Sequence, residues 1–560
     1  MQFQRQTQFP AMLTCGIALL SIPFISFAFA TIQLWCNHSV TWIAAAIAYC
    51  CAIAIARRAS YRHTMAVAAI PIAAALLQMS TLDITYDSLL YHSPFIAEFM
   101  QGWNPIYDFF HGVYGSGEHS VWTLHYAHFL ELSATPIAMT FNNVEAGKSV
   151  NIILLAATFC ITAGTLRCIG HKSNALAFIF AFNPVSIAQL FTSLNDYVVY
   201  DVIIIMCCMT LLIYTRQHIN IAYAVYCATV IIGITCKFNH CCYTAVTAAI
   251  LITTLWLKNC RKESGKLIAI STASAVIAIL FFGFSPYVIN LFTTGNPLYP
   301  LFDSAYSIIE TEINPVETVG MTRLGRFLYA LFAQSFSIKA TWLIGSDCRI
   351  GAFGSFFWIM ILLSAACMIF NKAGWKEWIA WLLPSAIALC FPQGWWMRYM
   401  PFVWATIGIG FLWGYNKDFR KNKAMLYTCA GLVCITNLLI IGRGYNNNLQ
   451  GKLWIDAICD AAGNEPLAVE ISHNQTHLLY VFQERNIQLS PIVLSNFSEL
   501  NEGETLWAIC GQSQSFNAGD DRTLVKLSAT QSARFNPPAY CKPERRRYDL
   551  GAPYAQPASE

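Results

Sequence analysis

Between residues 11 and 441 the chain repeats one pattern: an apolar run about as long as a bilayer is thick, then a polar break. A membrane-crossing helix needs about 17–25 mostly apolar residues. Runs of that order occur at 11–35, 40–56, 64–80, 150–166, 174–191, 198–215, 219–235, 240–257, 267–285, 353–371, 377–392, 399–415 and 424–441. These thirteen segments predict an all-α polytopic membrane protein. Two breaks, 81–149 and 286–352, far exceed the roughly two to eight residues that usually join packed helices. In the first, Leu89, Leu90, Phe95, Ile96 and Phe99 recur at near-helical spacing, as do His125, Phe129, Leu130 and Leu132. Both stretches predict amphipathic helices lying on the membrane surface.

After residue 442 the pattern becomes mixed polar. Leu449 to Ala462 reads as an amphipathic helix, and Leu467–Ser472, Leu478–Phe482, Thr505–Cys510 and Thr523–Leu527 read as short strands. The expected organisation is three spans in 1–80, a long loop in 81–149, and a bundle in 150–441 interrupted by the loop 286–352. A small α/β domain in 442–545 and a disordered tail in 546–560, after Arg545-Arg-Arg547, complete it. No sequence repeat and no inverted pair of Gly/Pro-broken helices marks a transporter.

Composition agrees with the pattern: 56% of the 560 residues are hydrophobic, 11% are charged, and mean hydropathy is +0.48. Charge sets the expected orientation. With the N-terminus inside, the inner connections and N-terminal tail hold 17 Lys/Arg and 3 Asp/Glu, whereas the opposite connections within the bundle hold 7 and 13. That asymmetry follows the positive-inside rule. It puts 81–149, 286–352 and everything after 442 outside, so the net charge of +4 implies no nucleic-acid partner. The compact loops suggest a bacterial cell (inner) membrane, with the active face and C-terminal domain extracytoplasmic. Arg5, the apolar run and Ala28-Phe-Ala30 also have the form of a signal peptide, whose cleavage would leave this orientation unchanged.

Carboxylates at a membrane surface are costly and usually functional. Asp83 and Asp87 lie just beyond the third span, Asp196 lies in the turn Thr192-Ser-Leu-Asn-Asp-Tyr197, and Asp201 lies one turn further on. Lys237 and His240 share the next outer turn, and Arg398-Tyr399 follows Gly394-Trp-Trp396. A carboxylate can take the proton of an attacking hydroxyl, while Lys or Arg can hold a phosphate leaving group. Together they suit group transfer from a lipid phosphate to an alcohol. Each also has a plain structural role to set against this: a solvated loop acid, a helix cap, a bundle hydrogen bond for Asp201, or a snorkelling Arg398.

Asp87-Ser-Leu-Leu-Tyr-His92 with Gly102-Trp-Asn-Pro-Ile-Tyr107 resembles the first outer loop of GT-C-type glycosyltransferases, among them protein mannosyltransferases and lipid A aminoarabinose transferases. Asn195-Asp196, Gly295-Asn-Pro-Leu-Tyr-Pro300 and Arg398-Tyr-Met-Pro401 extend the resemblance over about 80–415. It implies a GT-C-like fold and inverting transfer of a sugar from a polyprenyl-phosphate carrier to a glycan, lipid or protein acceptor in the membrane. It further implies Asp87 as the base, with Asp83 as second candidate, and Asp196 supporting the base or the acceptor. Lys237 and Arg398 would hold the phosphate, with Tyr91, His92 and Tyr399 contacting substrate. One departure stands out: the acidic loop follows the third expected span rather than the first. Two alternatives remain, a glycan polymerase or ligase using diphosphate-linked glycans and a transporter or flippase for lipid-linked substrates.

Five of the twelve histidines, His92, His111, His119, His125 and His128, fall in 81–149, with Glu118 and Glu131 nearby. These donors could hold a divalent metal, but their spacing matches no zinc signature. No metal is therefore expected, and the only small molecule implied is the lipid-phosphate sugar as substrate. Most of the 21 cysteines lie inside expected spans; Cys348, Cys459, Cys510 and Cys541 face outward, and a disulfide in the C-terminal domain cannot be assigned. Asn37, Asn474 and Asn496 head glycosylation tripeptides that would matter only in a eukaryotic secretory route.

Overall fold

The computed structural model describes residues 10–109, 120–301, 316–333, 337–342, 344–391, 393–417, 419–470, 477–491, 505–508 and 524–536. Helices dominate. Three lead the chain: α1 (Ala11–Trp35), α2 (Ile43–Ala56) and α3 (Tyr61–Met79). The first long loop carries α4 (Ser93–Met100), α5 (Ser120–His125) and α6 (Phe129–Phe141). The bundle continues through α7 (Ser149–Cys168), α8 (Asn174–Ala181), α9 (Pro184–Ala188), α10 (Val198–Tyr214), α11 (Ile219–Cys236), α12 (Phe238–Leu257) and α13 (Arg261–Ile277). Beyond it come α14 (Asn290–Thr294), α15 (Arg323–Phe332), α16 (Ile338–Trp342), α17 (Phe357–Phe370), α18 (Trp375–Cys390), α19 (Ala405–Lys417) and α20 (Phe419–Ala462).

Among the described residues, seven helices are long and apolar enough to cross a membrane, and each coincides with one of the thirteen expected spans; five shorter apolar helices accompany them. Close approach of α1 and α7 depends on two glycines. A Cβ on Gly16 would lie 2.6 Å from the Ile161 backbone, and one on Gly164 would lie 2.5 Å from that of Leu13. Small residues of this kind let helix backbones meet where water supplies no drive to pack.

The expected span 174–191 is broken. Pro184 has no N–H to continue α8, and Asn183 caps the restart by accepting from Val185 N at 2.8 Å. The Phe182 carbonyl at the break accepts from the Asn437 side chain at 3.0 Å, and the Asn183 side-chain amide donates to the Pro401 carbonyl at 2.7 Å. Non-helical backbone inside a bundle is tolerated only when it is satisfied in this way. The break turns the chain so that 189–197 lies among the other polar connections.

The stretches expected on the membrane surface are instead interior. Leu89, Leu90, Phe95, Ile96 and Phe99 are all buried, as are Phe129, Leu130 and Leu132. Phe95, Phe99 and Trp103 stack in series, centroids 5.1–6.0 Å apart, with His128 against them. Periodicity gave the apolar face correctly but could not say that protein, rather than lipid, covers it.

The span 424–441 and the helix 449–462 are one element, α20, of 44 residues. Beyond it lie β1 (Leu467–Glu470), α21 (His477–Glu484), β2 (Leu489–Pro491), β3 (Thr505–Ala508), β4 (Leu524–Leu527) and α22 (Ala529–Arg534). The sheet runs β2-β1-β4-β3, with β1 parallel to β2 and antiparallel to β4. The segment 478–482, expected as a strand, is helical: a short apolar run has no decisive period. His477 and Leu478, with Val481 and Phe482, form one buried helical face. That face packs with Trp454, Ile455 and Ile458 of α20, and with Leu82, Ile84 and Leu89 of the first long loop.

Candidate functional site

The site is assembled from connections. Between α3 and α4, Leu82 N donates to the Asn448 carbonyl of α20 at 3.0 Å. Asp83 then closes a local turn, its Oδ1 accepting from Thr85 N at 3.0 Å and Thr85 Oγ1 at 2.8 Å. Its Oδ2 accepts from Ser193 N at 2.6 Å. Asp83 is fully buried. Burial raises its carboxyl above the ordinary value, and Lys148 partly offsets this. Asp87 leads into a π-helical turn, Ser88–His92, a geometry frequent at functional sites.

The 189–197 connection is fixed by amides. Asn151 donates to the carbonyls of Gln189 and Thr192 at 3.0 and 2.6 Å, and accepts from Tyr197 Oη at 2.8 Å. Gln189 accepts from Tyr197 N at 3.1 Å and donates to Asp196 Oδ2 at 3.2 Å. Lys237 is the single extended residue between α11 and α12, so its side chain leaves the helical path and meets Asp196 Oδ1 at 2.6 Å.

Arg398, in the 3-10 turn Met397–Tyr399, joins these pieces. Its Nη2 lies 2.9 Å from Asp87 Oδ2, its Nε 3.1 Å from Asp196 Oδ2 and its Nη1 2.7 Å from Asp347 Oδ1. Nη2 also donates to Tyr399 Oη at 2.9 Å. One guanidinium thus meets three carboxylates from three separate segments. Burial opposes ionisation of Asp196, yet Arg398 and Lys237 hold its carboxyl well below the usual range. Burial also opposes the charge on Arg398, but Asp196, Tyr399, Asp347 and Asp87 push its pKa up. Breaking a buried charge set by removing one member typically costs about 3–5 kcal/mol.

Aromatic rings wall the cluster. Tyr399 lies under both cations, 5.3 Å from Lys237 Nζ and 4.9 Å from Arg398 Cζ, with Trp396 4.7 Å from its ring. Tyr91 and Tyr126 meet edge to face at 6.0 Å; burial raises both phenols, followed by Asp87 for Tyr91 and by Tyr399 and then Asp87 for Tyr126.

Of the residues expected from sequence, Asp87, Asp196, Lys237, Arg398 and Tyr399 therefore converge, with Tyr91 beside them. Asp83 is committed to a turn. His92 is committed to Glu131, Nδ1 to Oε1 at 2.5 Å. The histidines do not gather: His125 pairs with Asn290 at 2.6 Å, and His128 sits among aromatic rings, where burial lowers its pKa to about 3. Among the described residues no group of three or more His, Cys, Asp or Glu could hold a metal. His111, His119 and Glu118 lie outside the described residues, as do Cys510, Cys541, Asn474 and Asn496. Cys348 and Cys459 are free thiols.

Asp347 and Arg349 belong to the site but were not singled out from sequence. The available signal was an acid and a cation two residues apart at the end of the second long loop, immediately before an expected span. Comparison of the chain with family models, with curated proteins and with solved structures finds no match.

Proposed function

We propose that this chain is a membrane glycosyltransferase of the GT-C type, working on the outer face and taking a sugar from a polyprenyl-phosphate carrier. In this scheme Asp87 accepts the proton of the acceptor hydroxyl as its oxygen attacks the sugar's anomeric carbon. The bond from that carbon to the phosphate oxygen breaks, and the polyprenyl phosphate departs with the electron pair, inverting the centre. Arg398 and Lys237 hold the developing phosphate charge, and Asp196 fixes both cations. Tyr91, Tyr126 and Tyr399 supply a wall against which a sugar ring can lie. No metal is needed to balance this step.

The observation that carries the proposal is the convergence of Asp87, Asp196, Lys237 and Arg398 from four connections into one buried charge cluster, joined through Arg398 and Asp196. Of the two cluster acids expected from sequence, Asp87 is the better suited to act as base: it keeps 17% of its side chain exposed, whereas Asp196 is fully buried. A general base contributes about 10²–10⁴-fold, so Asp87→Asn should lower sugar transfer by that order while the protein still inserts and folds. Transfer at the wild-type rate in a folded Asp87→Asn protein would remove Asp87 from the role. Donor choice separates the polymerase or ligase alternative, since only the scheme proposed here uses a monophosphate-linked single sugar. Asp201, buried within α10, is the feature a transporter would draw on; substrate movement into vesicles without product would favour that reading.

A further inference from the structure

Arg398 is not the only guanidinium at Trp396. Its Cζ lies 5.4 Å from the indole centroid, and the Cζ of Arg349 lies 4.4 Å from the same ring. Asp347 spans the two cations, with Oδ1 2.7 Å from Arg398 Nη1 and Oδ2 3.7 Å from Arg349 Nη2. Two guanidiniums sharing one oxyanion over an aromatic ring is an arrangement suited to a phosphate. Here a carboxylate of the chain itself fills it.

The three acids on Arg398 are not equivalent. The Asp196 side chain is fully buried and that of Asp87 is 17% exposed, whereas that of Asp347 is 42% exposed. Of the three, Asp347 is therefore the acid that can most readily leave for water. Asp196, held also by Lys237 and Gln189, cannot. The backbone around Asp347 is meanwhile anchored on both sides. Gln189 donates to the Ser346 carbonyl at 3.2 Å, and Met397 N donates to the Arg349 carbonyl at 3.2 Å. The side chain can move while its neighbours stay.

Charge decides what replaces it. Among the described residues joined by these ion pairs, Asp87, Asp196 and Asp347 match Arg398, Lys237 and Arg349, three against three. Adding a phosphate to that set would leave an excess anion in a largely buried place. A sugar-phosphate-polyprenyl diester carries one negative charge, so exchanging it for the Asp347 carboxylate keeps the balance, and the monoester left after transfer exceeds it by at most about one charge.

We infer that Arg349, Arg398 and Trp396 form the seat for the phosphate of a polyprenyl phosphate ester, and that Asp347 occupies this seat until the ester displaces it. The inference rests on the glycosyltransferase scheme for the identity of the ester, but the seat is tested by binding alone.

The test uses the full chain in nanodiscs of zwitterionic lipid, titrated with a short polyprenyl phosphate, with inorganic phosphate, or with added phosphatidylglycerol. Removing the internal competitor in Asp347→Asn should tighten polyprenyl phosphate binding about tenfold, and Arg349→Gln should weaken it by about as much. Asp347→Ala provides the same test with a different side chain should the asparagine variant not fold. Tightening of inorganic phosphate in parallel would support a seat that reads the phosphate itself. Unchanged or weaker binding in both Asp347 variants would overturn the inference. So would a response confined to phosphatidylglycerol, which would give the seat to a bilayer headgroup. These outcomes do not depend on sugar transfer, so failure of the glycosyltransferase scheme is seen separately, in the Asp87→Asn assay.

Discussion

Asp83 and Asp87 stand four residues apart in one connection, yet they belong to two different charged clusters. Asp83 lies in a closed network. Its backbone N–H donates to Glu145 Oε2 at 3.0 Å, that oxygen also lies 2.5 Å from Lys148 Nζ, and Glu145 Oε1 lies 3.2 Å from His477 Nε2. Every member is buried. Asp87 lies in the Arg398 cluster, where charges are shared unequally and two acids reach solvent. A buried network held by several short charge-assisted bonds favours one arrangement. A cluster with a partly exposed carboxylate can exchange partners, as chemistry on a substrate requires. The difference lies in surroundings, not in residue type.

Substitutions should separate the two clusters sharply. The largest effect is expected at the hub: Arg398→Gln leaves two mostly buried carboxylates facing each other and should lose about 3–5 kcal/mol of stability. Sugar transfer should disappear with it, with thermal unfolding in detergent and a transfer assay reporting the two losses. Asp87→Asn should come next, with transfer falling about 10²–10⁴-fold and the melting temperature nearly unchanged. Asp83→Ala should invert that pattern. It strands the Thr85 N–H and leaves Ser193 N–H only its longer bond to Ser88 Oγ at 3.2 Å, a loss of about 1–3 kcal/mol, while activity per folded molecule persists. Equal damage to transfer by the Asp83 and Asp87 variants at equal stability would erase the distinction. A smaller effect is expected at the edge of the first cluster, where Tyr480 Oη donates to Glu98 Oε1 at 2.5 Å. Tyr480→Phe should lower stability by about 1–2 kcal/mol.

The last contrast is one of slope. The folded-state pKa of Asp196 is depressed, so its contribution is fully present above the ordinary aspartate value of about 3.9 and is lost as pH falls below it. Asp83 has the opposite sign. Its folded-state pKa is raised, so the stability linked to its protonation is present below the ordinary value and declines as pH rises through the folded one. Melting temperature against pH for Asp196→Asn and Asp83→Asn, each subtracted from the unmodified protein, should therefore tilt in opposite directions. Parallel curves would contradict the electrostatic assignment of both.

Much of the Arg398 cluster was legible because charge is scarce in this chain. Asp87, Asp196, Lys237 and Arg398 stand out against apolar flanks at the ends of expected spans, and hydropathy places those ends. Their convergence was not legible, since it depends on a helix break at Asn183-Pro184 and on the tilt of Lys237 out of its helical path. Asp347 and Arg349 were missed because the loop 286–352 offers many polar residues and no period to rank them. The misjudged burial of Phe95 and Phe99 has the same origin: an amphipathic pattern declares a face but not its partner. Leu478–Phe482 was misassigned because a five-residue apolar stretch satisfies helix and strand alike until α20 supplies the surface that it packs on.

The 44 residues of α20 make a rod about 66 Å in contour, at about 1.5 Å per residue. The hydrocarbon of a bilayer is only about 30 Å thick. One element therefore carries bundle contacts at one end, through Asn437, and the packing against β1, α21 and the Asp83 connection at the other, through Asn448 and Trp454. The two ends are geared like the threads of a screw. Inserting one residue between Asn437 and Asn448 would rotate the far end by about 100° and advance it by about 1.5 Å. The grip on Leu82, and with it the placement of the connection that carries Asp87, is thus set by the length of a helix most of which never touches the site.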